Sequence, residues 1–444
     1  MRFGPYLGLA FALVLSGCAY AIVRGTTVNQ TRADQVASGL ERLRGLDFTS
    51  KVPIVVKTRD QAERILTAEI ARDHSDRELQ IGGESGAMVG LYPPGMDLKA
   101  QTLQLLRNQI AGFYDAHDKR MVLVQSSTDL GFWNGATEFV THRDVVGQML
   151  LAHELTHALQ DQHFHIEKML DHVDNNDDRT LALKAVAEGD ATLAGFGYVA
   201  GNLDPSTIDL IVSNLANLPQ AFAAQSPEVP VGLSAPMLFQ YSAGTRFVAE
   251  AYRRGGWAAV NALYHNPPRS SQQIMQPELY FDRPSPPAKI DLSGYQDVLH
   301  GWTKADDDCY GEFLIKVILQ RGMGKIPAVT GLVRNWDGDR MLVFSRGQKL
   351  TILWLIAFRD QRSAEEFSEA YGDVLNNLRG VHEPHRIDCH AAAVLVVIGD
   401  GAEQFATLAP AIWQASTITP MAPSKNKLPL HAADTSMPPA AFNG

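Results

Sequence analysis

The segment His153-Glu154-Leu155-Thr156-His157 contains the residue types of a metal-dependent hydrolytic site. Residues four apart on a helix share one face, so both imidazoles can reach one zinc ion at about 2.0–2.1 Å. Glu154 is offset around the helix axis, where its carboxylate can accept a proton from water without binding the metal. The segment therefore predicts a zinc site with Glu154 as catalytic base. The plainer interpretation is two surface histidines on an amphipathic helix.

A catalytic zinc needs a third protein ligand, and two residues compete for that role. Glu188 lies in another predicted helix, beside Gly189, a small residue that favours close packing on a neighbouring helix. A carboxylate placed in this way resembles the third ligand of the gluzincin class of metallopeptidases. His163 matches the spacing of the metzincin class, but Gln160 stands where that class has a glycine that ends the helix. We therefore predict Glu188 as the third ligand.

Other side chains are candidates for supporting roles around the metal. Asp161 and Asp190 could each orient an imidazole through its second ring nitrogen, and an exposed or helix-capping carboxylate is the alternative for both. Hydrolysis also needs a hydrogen-bond donor to the oxyanion that forms at the attacked carbonyl. Tyr241, Tyr280 and His265 qualify for that role by residue type alone.

The apolar pattern predicts the elements that position these residues. Helices are expected over residues 60–73, 98–110, 145–163 and 181–198, and strands over 52–57 and 120–125. Further helices extend to about residue 265, with turns near Pro227 and Pro236. From Lys349 onward the pattern alternates strand, helix, strand, helix, which is typical of a small α/β module. The two histidines lie in the third predicted helix and the candidate glutamate ligand in the fourth.

The first residues resemble the signal sequence of a bacterial lipoprotein. Arg2 precedes a short apolar run that ends in Leu15-Ser16-Gly17-Cys18, and this run is too short to span a bilayer. Cleavage would leave Cys18 as a lipidated N-terminus, whose acyl chains, palmitate among them, give stable anchoring. Ala19 favours sorting to the outer membrane, facing the periplasm. The alternative is an ordinary secretory signal with a cysteine there by chance.

Composition narrows the function classes. The 444 residues exceed one ordinary core, and 45% apolar with 20% charged residues is the balance of a globular protein. The formal net charge of -10 gives no basic surface for nucleic acid, so no nucleic-acid partner is expected. In an oxidising compartment Cys309 and Cys389 could form a disulfide, and two buried free thiols are the alternative.

Five segments together resemble a group of bacterial and archaeal gluzincin-like zinc metallopeptidases. They are HELTHALQDQHF (153–164), EGDAT (188–192), GFYD (112–115), PPRSSQQI (267–274) and WDGDR (336–340), within a similarity spanning about residues 40–375. The resemblance implies zinc binding by His153, His157 and Glu188, with Glu154 as the base. It also implies that strand 120–125 is the sheet edge along which an extended peptide would lie.

Two positions depart from the patterns of those families. Gln276 stands where relatives have histidine, which would matter if that histidine contacts substrate, and Thr192 stands where thermolysin-like proteins have aspartate. We expect segment 336–340 to form a turn packed between the domains and not a catalytic loop.

These observations predict an α+β fold with a mainly helical, gluzincin-like domain, a small edge sheet and a C-terminal α/β module. The expected divisions are a signal peptide (1–17), a tether (18–34), a zinc metallopeptidase-like domain (35–290), the module (291–415) and a disordered tail (416–444). The expected activity is zinc-dependent hydrolysis of peptides or proteins in the cell envelope by a lipid-anchored enzyme. The alternatives are a non-catalytic envelope scaffold that keeps this fold and a zinc amidohydrolase or esterase.

Overall fold

The computed structural model describes residues 22–24, 26–109, 111–124, 145–173, 175–292, 299–324, 326–378 and 383–423. Cys18 and the signal sequence lie outside these residues. The described chain has a mixed α+β fold, with a helical N-terminal unit and a C-terminal unit built on a five-stranded sheet. None of the helices described is both long and apolar enough to cross a membrane.

The N-terminal unit begins with ordered structure where a tether was expected. Strands β1 (Val23–Arg24) and β2 (Thr27–Val28) pair antiparallel, and helix α1 (Gln30–Arg44) follows. Asn29 caps this helix by accepting a hydrogen bond from the backbone N–H of Arg32. The predicted tether over 18–34 is therefore wrong from residue 22 onward, because the apolar face of α1 is buried in the core.

A three-stranded sheet contains β3 (Ile54–Lys57), β4 (Gly112–Asp115) and β5 (Arg120–Val124), and three helices accompany it. They are α2 (Arg59–Asp73), α3 (Asp76–Met88) and α4 (Leu98–Gln109). Strand β5 lies in the middle, parallel to β3 and antiparallel to β4. The expectation that strand 120–125 forms the open edge is therefore wrong, because both sides of β5 are paired. The edge that contacts the next helix is β4.

Eight further helices lie in the part of this unit that the structure describes. They are α5 (Val145–Phe164), α6 (Ile166–Asp171), α7 (Asp177–Ala200), α8 (Pro205–Ala216), α9 (Leu218–Gln225), α10 (Val231–His265), α11 (Ser271–Met275) and α12 (Glu278–Phe281). Pro236 lies inside α10, where a turn was expected. The helix accommodates it near its N-terminus, where the missing N–H removes one backbone hydrogen bond. Helix α10 kinks at Gly255 and Gly256, whose backbone angles are non-helical.

Helices α5, α7 and α10 pack with their backbones in close contact at glycines. A Cβ atom on Gly195 of α7 would lie 2.9 Å from the carbonyl oxygen of Met149 in α5. A Cβ on Gly189 would overlap the backbone of Gly244 in α10, and one on Gly244 would overlap the Ala185 carbonyl. The close packing expected from Gly189 is confirmed.

Among the described residues, the C-terminal unit contains four α-helices and seven strands. Its elements are β6 (Lys289–Asp291), β7 (Thr303–Asp308), α13 (Gly311–Met323), α14 (Ile326–Val333), β8 (Trp336–Arg346), β9 (Lys349–Phe358), α15 (Gln361–Asn377), β10 (His385–His390), β11 (Ala393–Gly399), α16 (Phe405–Ala415) and β12 (Thr417–Thr419). The sheet order is β10-β11-β9-β8-β7, and every neighbouring pair is antiparallel. The predicted α/β module is therefore an antiparallel α+β unit, since hydrophobic periodicity does not report strand direction.

The last strand joins the two predicted domains. Strand β12 pairs antiparallel with β6, which lies across the predicted boundary at residue 290. The expectation of a disordered tail from residue 416 is therefore wrong at its start, because residues 417–419 complete this pairing. Residues 424–444 of that predicted tail lie outside the described residues.

Segment 336–340 forms the start of strand β8 and not the turn that was expected, although it does lie between the two units. The buried carboxylate of Asp339 accepts hydrogen bonds from the indole N–H groups of Trp336 at 3.2 Å and Trp354 at 2.9 Å. From the helical unit, the Gln272 amide donates to the Trp336 carbonyl at 2.7 Å. This segment therefore links the two units.

We expect Gly244→Ala to lower the free energy of unfolding by about 3 kcal/mol, because the new methyl group overlaps backbone that cannot move independently. Gly331→Ala in α14 is the matched control, since no atom lies within 4 Å of its added Cβ. The control should stabilise by up to about 1 kcal/mol through helix propensity. Denaturant unfolding measures both, and equal effects of the two substitutions would contradict the packing argument.

Candidate metal centre

Three ligand atoms from two helices converge on one point. His153 and His157 project from α5 and Glu188 from α7, as the sequence predicts. The two Nε2 atoms lie 3.3 Å apart, and Oε2 of Glu188 lies 3.3 Å from His153 Nε2 and 3.6 Å from His157 Nε2. Ligands of a tetrahedral zinc ion at about 2.0–2.1 Å would be separated by about 3.4 Å. The three separations fit that arrangement.

The contacts within this cluster are poor as hydrogen bonds. Charge-assisted bonds between nitrogen and carboxylate usually measure about 2.7–2.9 Å, which is shorter than either imidazole–Glu188 separation. Oε2 of Glu188 is buried and has no hydrogen-bond donor among the described residues. A buried, unpartnered carboxylate oxygen beside two facing ring nitrogens is the donor set that a divalent cation satisfies.

The electrostatics of the cluster also favour positive charge. Burial would lower the pKa of His157, but the charge of Glu188 outweighs it and raises this pKa to about 9. Burial likewise opposes ionisation of Glu188, yet the His157 charge holds the pKa of that carboxyl below its usual range. The Glu188 side chain is 22% exposed as a whole, although its Oε2 atom is buried.

Glu154 points from α5 toward strand β4. One of its carboxylate oxygens accepts a hydrogen bond from the backbone N–H of Tyr114 at 3.1 Å. Burial raises the pKa of Glu154, the two imidazoles partly oppose the shift, and Glu188 reinforces it. The sheet edge thus fixes the carboxylate beside the cluster without making it a ligand. The Tyr114 contact was not predicted, because residue spacing gives no backbone contacts between a strand and a distant helix.

His157 is oriented by Gln160, which sequence reasoning considered only as the residue that continues the helix. The Gln160 side-chain oxygen lies 2.9 Å from His157 Nδ1, and its amide nitrogen lies 3.1 Å from Asp190. Asp190 therefore reaches the imidazole only through Gln160. The i, i+3 spacing of His157 and Gln160 was the signal that could have found this contact.

Asp161, the other candidate for orienting an imidazole, serves a different purpose. Its carboxylate accepts hydrogen bonds from the Tyr114 hydroxyl at 2.9 Å and from Lys119 at 2.7 Å. These bonds fasten α5 to the β4–β5 hairpin. The role proposed for Asp161 is therefore wrong, because the turn between those strands brings two stronger partners to it.

The alternative third ligand, His163, and two of the three oxyanion candidates lie away from the metal cluster. His163 contacts the Asp47 carbonyl at 2.8 Å, away from the cluster. The Tyr280 hydroxyl donates to the Asn266 carbonyl, and His265 packs against Phe164. The remaining oxyanion candidate, Tyr241 of α10, lies at the cluster.

The Tyr241 ring is stacked on His153 with centroids 6.1 Å apart. Burial raises the pKa of Tyr241 well above its ordinary value, and the charges of Glu188 and Glu154 add to that shift. The phenol therefore stays protonated, and a hydrogen bond between its hydroxyl and Glu188 contributes to the shift.

Neither cysteine forms a disulfide. Cys309 is buried and its thiol lies 3.3 Å from an oxygen of Asp339, and Cys389 is partly buried. Burial raises the pKa of both thiols. Of the two alternatives left open by the sequence, the structure shows free thiols, and both are remote from the cluster.

Comparison with protein families matches residues 298–418 to a domain of unknown function (DUF8575). The matched range covers the antiparallel sheet of the C-terminal unit and contains none of the residues of the metal cluster. The comparisons with curated proteins and with solved structures find no match.

The two departures from the family patterns lie in different surroundings. Thr192 is buried near His153, with no hydrogen-bond partner for its hydroxyl among the described residues. Gln276 is also buried, but its amide donates to Glu312 at 2.8 Å and to the Arg334 carbonyl at 3.3 Å. Gln276 thus belongs to the contact between the two units and does not line the metal cluster.

We expect Glu312→Gln to stabilise the protein in a pH-dependent way. Burial raises the pKa of Glu312 from 4.5 to about 7, against the opposing hydrogen bonds of Gln272 and Gln276. Between these values the folded state binds more protons than the unfolded state, so stability falls as pH rises. The variant lacks this loss. Its advantage in denaturant unfolding should be small below pH 4.5, grow to pH 7 and then remain constant.

The matched control is Glu366→Gln, which removes a negative charge from an exposed side chain of α15. It reports the general effect of changing the net charge. An advantage of Glu312→Gln that does not vary with pH, or that is matched by the control, would contradict the burial argument.

Proposed function

We propose that this protein is a zinc-dependent hydrolase of peptide bonds, with His153, His157 and Glu188 as the metal ligands. The convergence of their three ligand atoms, separated by 3.3–3.6 Å around an unpartnered carboxylate oxygen, carries the proposal. Two imidazoles and one carboxylate form a donor set suited to catalytic zinc, which keeps a fourth position open. In this proposal a water molecule would occupy that position.

Glu154 is the general base in this proposal. Zinc supplies Lewis-acid chemistry, lowering the pKa of water and polarising a carbonyl group. The Glu154 carboxylate accepts the proton from the attacking water and delivers it to the nitrogen of the departing amine. Its hydrogen bond from Tyr114 fixes the carboxylate before substrate arrives, which reduces the reorganisation required during the reaction.

Tyr241 is the proposed oxyanion donor. It lies beside His153, and its phenol remains protonated in the ordinary pH range. Such a donor stabilises charge that develops on the carbonyl oxygen during attack.

Strand β4 is the proposed docking edge for an extended peptide. It is the outer strand of its sheet on the side of α5, and its backbone already contacts Glu154 through Tyr114. Main-chain pairing with such an edge binds peptides without demanding a particular sequence. The substrate class is accordingly peptide or protein. The lipoprotein-like signal ending at Cys18 places the proposed activity in the cell envelope, on an outer-membrane anchor facing the periplasm.

Glu154→Gln should retain zinc and lose at least about 100-fold in peptide hydrolysis, because only the proton-accepting group is removed. His157→Ala should lose the metal itself, whereas the control His163→Ala should keep both zinc and activity. Metal analysis of the purified proteins and cleavage of a peptide library measure these outcomes. Absence of zinc from the native protein would overturn the proposal, and equal inactivity of native protein and Glu154→Gln would favour a non-catalytic scaffold.

Tyr241→Phe should reduce kcat by about 100-fold with little change in zinc content, because one oxyanion donor is lost. Tyr280→Phe is the matched control, since it removes a buried hydroxyl that bonds to Asn266 elsewhere in the helical unit. Steady-state kinetics on a cleaved peptide measure both variants. An unchanged kcat in Tyr241→Phe would exclude this residue as the donor.

A further inference from the structure

We propose that a buried series of hydrogen bonds, from Arg44 through Asp190 to Gln160, fixes the tautomer and orientation of His157, so that its Nε2 atom faces the metal. This inference rests on the proposed zinc site and adds positioning residues to it. Arg44 and Asp190 touch neither the ligand atoms nor Glu154, and they act through Gln160 alone.

The hydrogen-bond inventory at Gln160 determines the tautomer. Its side-chain nitrogen donates to the Ala187 carbonyl at 2.9 Å and to Asp190 at 3.1 Å. A carbonyl can only accept, so the orientation of the amide is fixed and both of its hydrogens are used. The Gln160 oxygen, 2.9 Å from His157 Nδ1, can only accept as well. In the neutral imidazole, which is the form that binds a metal, Nδ1 must therefore carry the hydrogen, and this leaves the lone pair on Nε2.

Asp190 holds Gln160 in that orientation. One of its carboxylate oxygens receives hydrogen bonds from Arg44 at 2.9 Å, Tyr264 at 2.8 Å and Gln160 at 3.1 Å. Its side chain is fully buried. Because an unpaired buried carboxylate would be costly, the Arg44 charge is what allows Asp190 to act as the acceptor for Gln160.

Arg44 brings the N-terminal helix into the support of the metal site. It lies at the end of α1, 146 positions before Asp190, and its side chain is fully buried. Its guanidinium packs over the Trp257 ring at 4.1 Å and also donates to Asn261 at 3.0 Å. Helix α1, which follows the N-terminal segment, is thus part of the scaffold that orients a ligand on α5.

The first test compares two fully buried glutamines. Gln160→Leu should weaken zinc binding by about 10- to 100-fold, the range found when a partner of a ligand histidine is removed. Gln272→Leu is the matched control, because its amide bonds to Trp336 and Arg359 at the contact between the units. The control should lose thermal stability without losing zinc affinity. Competition with a chromophoric zinc chelator gives the dissociation constants, and circular dichroism confirms folding.

The second test changes Arg44, which lies at the other end of this series of hydrogen bonds. Arg44→Met should also weaken zinc binding by about 10-fold or more, and Arg44→Lys should recover part of the loss by restoring the charge. In the pair Arg44→Met and Gln160→Leu, the combined loss should be smaller than the sum of the separate losses in free energy, because both act through one path. The visible spectrum of the Co²⁺-substituted proteins should change in the same variants that lose affinity.

The outcomes separate the two proposals. Native protein that binds zinc while folded Gln160→Leu binds it within about twofold overturns the positioning role and leaves the hydrolase proposal standing. Additive losses for Arg44 and Gln160 would overturn the single path between them. Native protein that binds no zinc overturns the hydrolase proposal directly, before any variant is compared, and the positioning role with it.

Discussion

The close packing of α5, α7 and α10 is the constraint on which the rest of the candidate site depends. Gly195 and Gly244 remove side chains at the crossings, so the helix backbones approach within contact distance. That approach brings Glu188 of α7 within 3.6 Å of both imidazoles of α5. The same crossing places Tyr241 of α10 against the first of these imidazoles. A larger side chain at Gly195 would push α5 away from α7 and so separate the three ligand atoms, whereas one at Gly244 would displace α10, which carries Tyr241.

Helix packing alone does not specify which ring nitrogen faces a metal, and a second layer of polar contacts supplies that specificity. Gln160 and Asp190 lie on the same two helices as the ligands, so their hydrogen bond fixes the position of α5 relative to α7. The ion pair with Arg44 offsets a charge that the crossing would otherwise leave buried and unpaired. Glu154 is held independently, from the sheet side, by Tyr114. The proposed metal ligands and the proposed base are therefore held in place by separate contacts.

The sequence predicted what depends on local spacing and missed what depends on chain reversal. His153 and His157 share a face because of helix geometry, and the small residue beside Glu188 correctly indicated a helix contact. Arg44 could not be found, because its partner lies 146 positions away. The α/β interpretation of the C-terminal unit failed for a related reason, since apolar periodicity is the same in parallel and antiparallel strands. Segment 336–340 combines a glycine with three charged residues, a composition typical of turns, so its strand is not evident from the sequence.

The distribution of buried polar groups separates the work of the two units. In the helical unit, the polar groups around His157 converge on the proposed metal centre. Near the contact between the units, the carboxylates of Asp339 and Glu312 accept hydrogen bonds from indole, amide and backbone N–H groups. These carboxylates are not part of the metal cluster. Gln276 falls in the second group, so a histidine at this position, which the resemblance to gluzincin-like proteins would imply, would stand at this contact and not at the metal cluster. Residue 276 therefore bears on how the units hold together and not on the proposed catalysis.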